Sequence, residues 1–168
     1  MEYYLDGKVF KDNDEIYYKL LSIMVPLEND IQGQLVKIFR LTDDNKVRDK
    51  IALIFADLSD EHIIPVLINK INEIKYSGHI STLIYVCSEY DCAEWIDFFV
   101  GLVIDLDDSS YLEAISVIEG IQKPIKLSDK VICIKRLANY LSSIENESNK
   151  YEDVEAVMEF VDNLKTVF

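Results

Sequence analysis

The chain has 168 residues, of which 49% are apolar, and a formal net charge of −14 from 31 acidic and 17 basic side chains. This length and apolar content are typical of one folded domain and exclude a disordered chain. The negative charge argues against a basic face for nucleic acid or an anionic membrane, and it favours a basic partner.

The cysteine count and the pattern of apolar residues indicate the cellular compartment in which we expect the protein. Three cysteines, Cys87, Cys92 and Cys133, suggest no disulfide framework, so we expect a reducing cytoplasm. The N-terminal segment is acidic and polar, unlike a signal peptide. No run of about 18 apolar residues is present, so we expect no membrane span.

The first elements along the chain are residues 1–12, for which two interpretations stay open. The pair Asp6-Gly7 lies between short apolar runs, which is typical of a β-hairpin. An extended arm that packs on the first helices fits equally well. Beyond it, apolar residues recur with helical spacing. This periodicity predicts nine helices, over residues 14–25, 28–41, 45–58, 61–74, 79–90, 91–105, 111–121, 127–144 and 151–168.

The stretch 79–105 predicts two helices that fold back on each other. Asp91 lies between them and is suited to cap the second one. The second helix has a broad aromatic face, which two helices alone could not bury. We therefore expect similar hairpins on both sides. In the helix over 127–144, the spacing predicts Val131, Ile134, Leu137 and Leu141 on the inward face.

An internal repeat supports this arrangement. Residues 53–55 align with 83–85 at a shift of 30, and residues 67–68 align with 98–99 at a shift of 31. Residues 47–48 align with 111–112 at a shift of 64, about two such steps. A constant period of this size in two-helix units predicts a stacked solenoid.

The run from Val47 to Ile71 resembles a HEAT repeat. That family has a basic residue and an Asp opening its first helix, a short Asp-containing turn and a Pro-containing second helix. The matching residues are Arg48, Asp49, Ala52, Leu58, Asp60, Ile64, Pro65 and Leu67. The next unit lacks the Arg, the Pro and the Ala. The resemblance covers roughly 44–122. It implies an all-α, HEAT-like α-solenoid of about four stacked helical hairpins, as a single domain over 1–168, and a non-enzymatic binding role.

Three sets of side chains could carry chemistry: the histidines His62 and His79, the thiols Cys87 and Cys92, and the adjacent acids at 43–44 and 107–108. A structural zinc site needs about four converging nitrogen or sulfur ligands, which this spacing does not supply. No third group or oxyanion site accompanies the thiols, and adjacent acids are typical of helix caps and turns. We therefore expect no enzyme activity, no cofactor and no metal.

Charge is unevenly distributed along the chain. From Tyr76 to Gln122 there is no Lys or Arg, whereas nine acidic residues occur there. Acids at turns would emerge along one edge of a solenoid, and aromatic residues lie among them. This pattern predicts binding of a basic protein; the alternative is a solvated acidic face with Trp95 in the core. The predicted partner-binding residues are Glu89, Tyr90, Asp91, Glu94, Trp95, Asp97, Asp105, Asp107, Asp108, Tyr111 and Glu113.

A short, acidic helical-repeat protein is also similar to the immunity proteins of bacterial toxin–immunity pairs. That resemblance implies a protein-binding module that neutralises a basic toxin through its acidic surface, without nucleic acid or membrane as a partner. The alternative is a scaffold or regulatory adaptor subunit of a larger complex. An adaptor would show uncovered apolar faces when it is isolated.

Overall fold

The structure, a computed structural model, describes residues 2–23, 25, 29–77, 79–144 and 149–167. It is 70% helical, and its described residues form nine α-helices and two small sheets. The prediction of a mostly helical protein is confirmed, while all-α is too narrow a description. Contacts divide the chain into two compact units, Met1–Val86 and Cys87–Phe168.

The helices are α1 (Asn13–Leu21), α2 (Asn29–Leu41), α3 (Asn45–Leu58), α4 (Ile64–Ile74), α5 (Ser81–Cys87), α6 (Ile96–Asp105), α7 (Ser110–Glu119), α8 (Leu127–Leu141) and α9 (Asn149–Asn163). Short 3-10 turns at Glu61–Ile63 and Ala93–Trp95 lead into α4 and α6. The predicted start of the second helix at residue 28 lies outside the described residues. Among the described residues, no helix is long and apolar enough to cross a membrane.

The N-terminal segment is a β-hairpin, which decides between the two interpretations of residues 1–12. Strand β1 (Tyr3–Leu5) pairs antiparallel with β2 (Lys8–Phe10). Asp6 and Gly7 both adopt positive φ, at 53° and 71°, as a two-residue hairpin turn requires. The Tyr3 hydroxyl donates to Asn13 Oδ1 over 2.6 Å and so fixes the hairpin against the start of α1.

A second sheet is not predicted from the sequence. Strand β3 (Ile125–Lys126) pairs in parallel with β4 (Thr166–Val167). The backbone N–H of Ile125 donates to the carbonyl of Lys165 over 3.0 Å. The predicted last helix over 151–168 therefore runs too far, because α9 ends at Asn163 and the chain then extends to pair beside the start of α8.

In the unit Met1–Val86, α1 packs on α3, and α2 packs on α3 and α4. Phe39 and Phe55 meet edge to face in its core, with their ring centroids 5.5 Å apart. Arg48 is 2% exposed, and it donates to the carbonyl of His79 over 2.7 Å. This buried hydrogen bond ties the first turn of α3 to the residues just before α5.

In the unit Cys87–Phe168, α6 packs on α7 and α8, and α9 packs on α7 and α8. The division after Val86 falls inside α5. The hairpin partner of α6 within its own unit is therefore α7, and the predicted pairing of the two helices of 79–105 stays a prediction. On α8 the core residues are Cys133, Leu137 and Leu141. Placing Val131 on the inward face is wrong, because its side chain is 58% exposed.

When the helices are taken in consecutive pairs from α1 to α8, the second helix of each pair begins at a nearly regular interval along the sequence. Helices α2, α4, α6 and α8 begin at Asn29, Ile64, Ile96 and Leu127, which are 35, 32 and 31 residues apart. The two 3-10 turns begin at Glu61 and Ala93, also 32 residues apart. Local structure thus repeats with a period close to the one that the sequence alignment predicts.

Candidate protein-binding surface

All the residues predicted to bind a partner lie in the unit Cys87–Phe168. Their carboxylates flank α6, except that of Glu113, which is half-buried in α7. One group comes before α6 or in its first turn, here called the N-terminal cluster: Glu89, Asp91, Glu94 and Asp97. The other ends α6 or follows it, here called the C-terminal cluster: Asp105, Asp107 and Asp108. Since α6 has 10 residues, roughly 15 Å separates the two clusters. The structure thus places these carboxylates at two ends of a helix.

The three aromatic residues of the prediction differ in their exposure. Tyr90 is 6% exposed, so its ring offers little area to a partner. Trp95 and Tyr111 are half-buried. The Tyr111 hydroxyl donates to Asp153 Oδ2 over 2.8 Å, and this hydrogen bond raises the pKa of Tyr111. Of these three residues, Trp95 and Tyr111 therefore keep part of their aromatic surface accessible to a partner.

Two of the predicted carboxylates bind their own backbone. Asp91 accepts hydrogen bonds from the N–H groups of Ala93 at 3.2 Å, Gln122 at 3.2 Å and Lys123 at 2.8 Å. The prediction that Asp91 caps the second helix is wrong, because the N-cap positions are Cys92 for the 3-10 turn and Trp95 for α6, and neither makes a side-chain cap hydrogen bond. Asp108 accepts from the N–H of Ser110 over 2.9 Å at the start of α7. Both carboxylates shape the turns at the two ends of α6.

Bases from distant parts of the sequence compensate some of the acids. Arg136 Nη1 of α8 lies 2.5 Å from Asp97 Oδ1, although the two residues are 39 positions apart. Lys150 Nζ lies 3.5 Å from Asp107 Oδ1, 43 positions away. The charge gap over 76–122 is consequently smaller in space than along the sequence.

Several lysines point towards the C-terminal ends of helices, where backbone carbonyls lack helical donors. Lys150 donates to the carbonyl of Ile104 at 3.3 Å, in the last turn of α6, and to that of Leu106 at 2.5 Å, just after it. Its ammonium group also lies 5.2 Å and 5.3 Å from the ring centroids of Tyr111 and Tyr140. A cation stabilises this negative end of the helix dipole.

The same arrangement recurs at two other helix ends. Lys130 of α8 donates to the carbonyls of Asp162 and Leu164, where α9 ends. In the other unit, Lys70 is 3% exposed and donates to the carbonyl of Arg40 over 3.2 Å, at the end of α2. Lys70, Lys130 and Lys150 thus bind backbone carbonyls of the protein itself.

The sequence reasoning missed a row of carboxylates on α9. Glu152, Glu155 and Glu159 are exposed, and their spacing places them on one face of the helix. We call them the acidic stripe. Asp162 continues the row, but it pairs with Lys130 at 3.6 Å. The indication was present in the sequence, since residues 151–164 contain five acids and no Lys or Arg.

Within the described part of the chain, Glu89, Glu94 and the acidic stripe form no ion pair and accept no side-chain hydrogen bond. Their side chains are exposed. They are therefore among the carboxylates that can meet a partner without first giving up a contact within the protein.

Among the candidates for chemistry, the thiol of Cys87 has surroundings that disfavour reaction, and so does a further thiol, that of Cys133. Among the residues that the structure describes, no group of three His, Cys, Asp or Glu could hold a metal ion. A hydrogen bond with Cys92, together with burial, raises the pKa of Cys87. Burial raises the pKa of Cys133 to about 12. Thiols with a raised pKa are poor nucleophiles, because the thiolate is the reactive form.

Compared with known proteins, the chain matches no protein-family model, no curated protein and no solved structure. The resemblances to HEAT repeats and to immunity proteins therefore stay predictions. The function has to be argued from the surface of the protein.

Proposed function

We propose that this protein is a non-catalytic binding module that holds a basic partner protein through the carboxylates of residues 87–168. The observation that supports it most directly is the contrast in how charges are oriented. Lys130 and Lys150 point to backbone carbonyls within the unit. Glu89, Glu94 and the acidic stripe instead extend into solvent. A field of one sign steers an oppositely charged partner into contact.

The HEAT-like solenoid of about four stacked hairpins is part of this proposal. Within the first unit, α1 packs on α3 and α2 on α4; within the second, α6 packs on α8 and α7 on α9. Contacts between every second helix are what stacked hairpins require. Two buried cations also join positions about one repeat apart, Arg48 to His79 (31 residues) and Lys70 to Arg40 (30 residues).

The sharper form of the proposal is an immunity protein that occludes a basic toxin. A toxin that cleaves nucleic acid has a positive cleft, and exposed carboxylates can compete there with phosphate groups. The alternative, a scaffold or adaptor subunit, is favoured by a different observation. Val131 and Ile132 of α8 are 58% and 48% exposed, more than a solitary inhibitor needs.

A calorimetric titration against the product of the adjacent gene tests the proposal. We expect binding that weakens markedly between about 0.05 M and about 0.5 M salt, because screening removes the charge attraction. The partner's toxicity should be lost in the complex if it is a toxin. Absence of binding would contradict the immunity role and turn the search towards adaptor partners from a host lysate.

Two double variants with equal charge change locate the surface. Glu89→Lys with Glu94→Lys reverses two exposed carboxylates of the N-terminal cluster. Asp43→Lys with Asp57→Lys reverses two exposed carboxylates of the other unit and serves as the control. We expect the first pair to weaken binding at least about tenfold and the control about twofold or less. Equal losses of affinity in the two double variants would show that binding depends on net charge alone. That result would contradict a binding site at the N-terminal cluster.

A further inference from the structure

Helix α8 has two apolar stripes, and only one of them is buried. The buried stripe contains Cys133, Leu137 and Leu141. The second stripe contains Leu127, Val131, Ile134 and Ala138, whose spacing of four, three and four residues aligns them on one face. Leu127 is 40% exposed, Val131 is 58% exposed and Ala138 is also exposed. We call this second set the outer stripe.

Two contacts orient the outer stripe within its unit. Arg136 points to α6, where it pairs with Asp97. At about 100° per residue, the outer stripe lies roughly opposite to Arg136 on the helix. It therefore faces away from α6. In the contacts among the described residues of 87–168, α8 packs on α6, α9, β3 and β4. This packing leaves Leu127, Val131 and Ala138 exposed and Ile134 half-buried, so most of the outer stripe is open to solvent.

The charge beside the outer stripe is opposite to that of the chain as a whole. Lys135 and Lys126 are exposed, and no described residue forms an ion pair with them. The one acid of α8, Asp129, accepts a hydrogen bond from Ser128 Oγ at 3.0 Å. Among the described residues, two carboxylates of other helices reach α8, and each lies beside a base of α8: Asp97 at 2.5 Å from Arg136 and Asp162 at 3.6 Å from Lys130. Lys126 and Lys135 therefore remain as local positive charges, and screening over about 8 Å weakens the effect of charges farther away.

We infer that the outer stripe is the docking site for an amphipathic helix of a partner protein, whose apolar side chains are flanked by carboxylates. A helix fits because the stripe continues from Leu127 to Ala138, and apolar residues at helical spacing pack against those of another helix. The carboxylates of the partner pair with Lys126 and Lys135. This surface shares no residue with the acidic one, so the inference does not rest on the proposed function.

The test uses the full chain and synthetic peptides of about 20 residues, with fluorescence anisotropy as the readout. The acidic probe has leucines at helical spacing with flanking glutamates; the control peptides replace the glutamates with lysines, or the leucines with serines. We expect binding of the acidic probe alone. Val131→Glu should weaken it at least about tenfold, and Lys135→Glu about fivefold. Leu112→Glu, at a 46% exposed leucine of α7, should leave it unchanged.

Three results would overturn the inference. The first is equal binding of the acidic and basic probes, and the second is binding that Val131→Glu leaves intact. The third is a dimer, detected by analytical ultracentrifugation, that Val131→Glu abolishes, because a second copy of the chain would then occupy the stripe. Circular dichroism of each variant should show the helical content of the unmodified protein, so that a loss of binding is not a loss of fold. Glu89→Lys with Glu94→Lys should leave probe binding unchanged, which separates this surface from the acidic one.

Discussion

Helices α8 and α9 are neighbours of equal length, 15 residues each, yet they present opposite chemistry to solvent. The outward face of α9 has three glutamates in a row. The outward face of α8 is apolar, with exposed Lys135 beside it. Both helices bury a narrow row of small and aliphatic side chains, which on α9 are Val154, Val157 and Val161. Similar cores therefore leave each helix free to present a different surface.

The difference shows that one strongly acidic protein has two surfaces of opposite chemistry, for which we propose different partners. The negative net charge of the chain matches the exposed face of α9, where the acidic stripe lies, but not the exposed face of α8. The α8 side depends on where the bases lie: Lys130 points to the end of α9, while Lys135 points outward. Taken together, the two proposals give this unit two partners, each of which recognises one helix.

The largest expected effect on stability distinguishes the buried stripe of α8 from the outer stripe. Leu137→Ala removes a fully buried side chain, so we expect the free energy of unfolding to fall by about 2–5 kcal/mol. Val131→Ala should change it by less than about 0.5 kcal/mol, because that side chain is already exposed. Urea denaturation followed by circular dichroism measures both. A large loss in Val131→Ala would mean that the outer stripe belongs to the core.

An intermediate effect should arise where α9 begins. Lys150→Met leaves the carbonyls of Ile104 and Leu106 without this donor and removes a cation from two tyrosine rings. We expect a loss of about 2–3 kcal/mol in unfolding free energy. Lys135→Met is the matched control on α8, and it should cost less than about 0.5 kcal/mol. Equal losses would show that the position of the lysine does not matter.

The smallest effect concerns the acidic stripe itself. Glu155 has glutamates three residues before it and four residues after it, and like charges at these spacings repel one another. Glu155→Gln should therefore stabilise the protein by about 0.5 kcal/mol at low salt. Glu113→Gln on α7, which has no charged residue three or four positions away, should be neutral. If the gain of Glu155→Gln persists in about 1 M salt, repulsion is not its cause.

Helical content could be predicted from the sequence because apolar periodicity is a local property. The hairpin at Asp6-Gly7 stayed undecided until the two positive φ angles were known. Strands β3 and β4 have two residues each and pair between distant parts of the chain. They are too short for an alternation of apolar and polar residues that would predict them. Val131 was misplaced because α8 has two apolar stripes, and periodicity alone does not tell which of them faces the core.

The candidate surface was only partly predictable for a similar reason. A gap in basic residues along the sequence suggested an uncompensated acidic region. Compensation depends on folding, which brings Arg136 to Asp97 and Lys150 to Asp107. The acidic stripe on α9 could have been found, because its acids and its lack of bases are both visible in the sequence.

The lysines at the helix ends have a practical consequence for amine chemistry. The side chains of Lys70, Lys130 and Lys150 are only 3%, 16% and 15% exposed, and their ammonium groups are held by carbonyl oxygens. Acylating reagents require an accessible, unprotonated amine, so these three should label last. Immobilisation on a sensor through amines would then attach the protein by lysines such as Lys8, Lys135 and Lys165, with the acidic stripe left open to a partner and the outer stripe partly blocked. Coupling through an added terminal tag would keep both helices accessible.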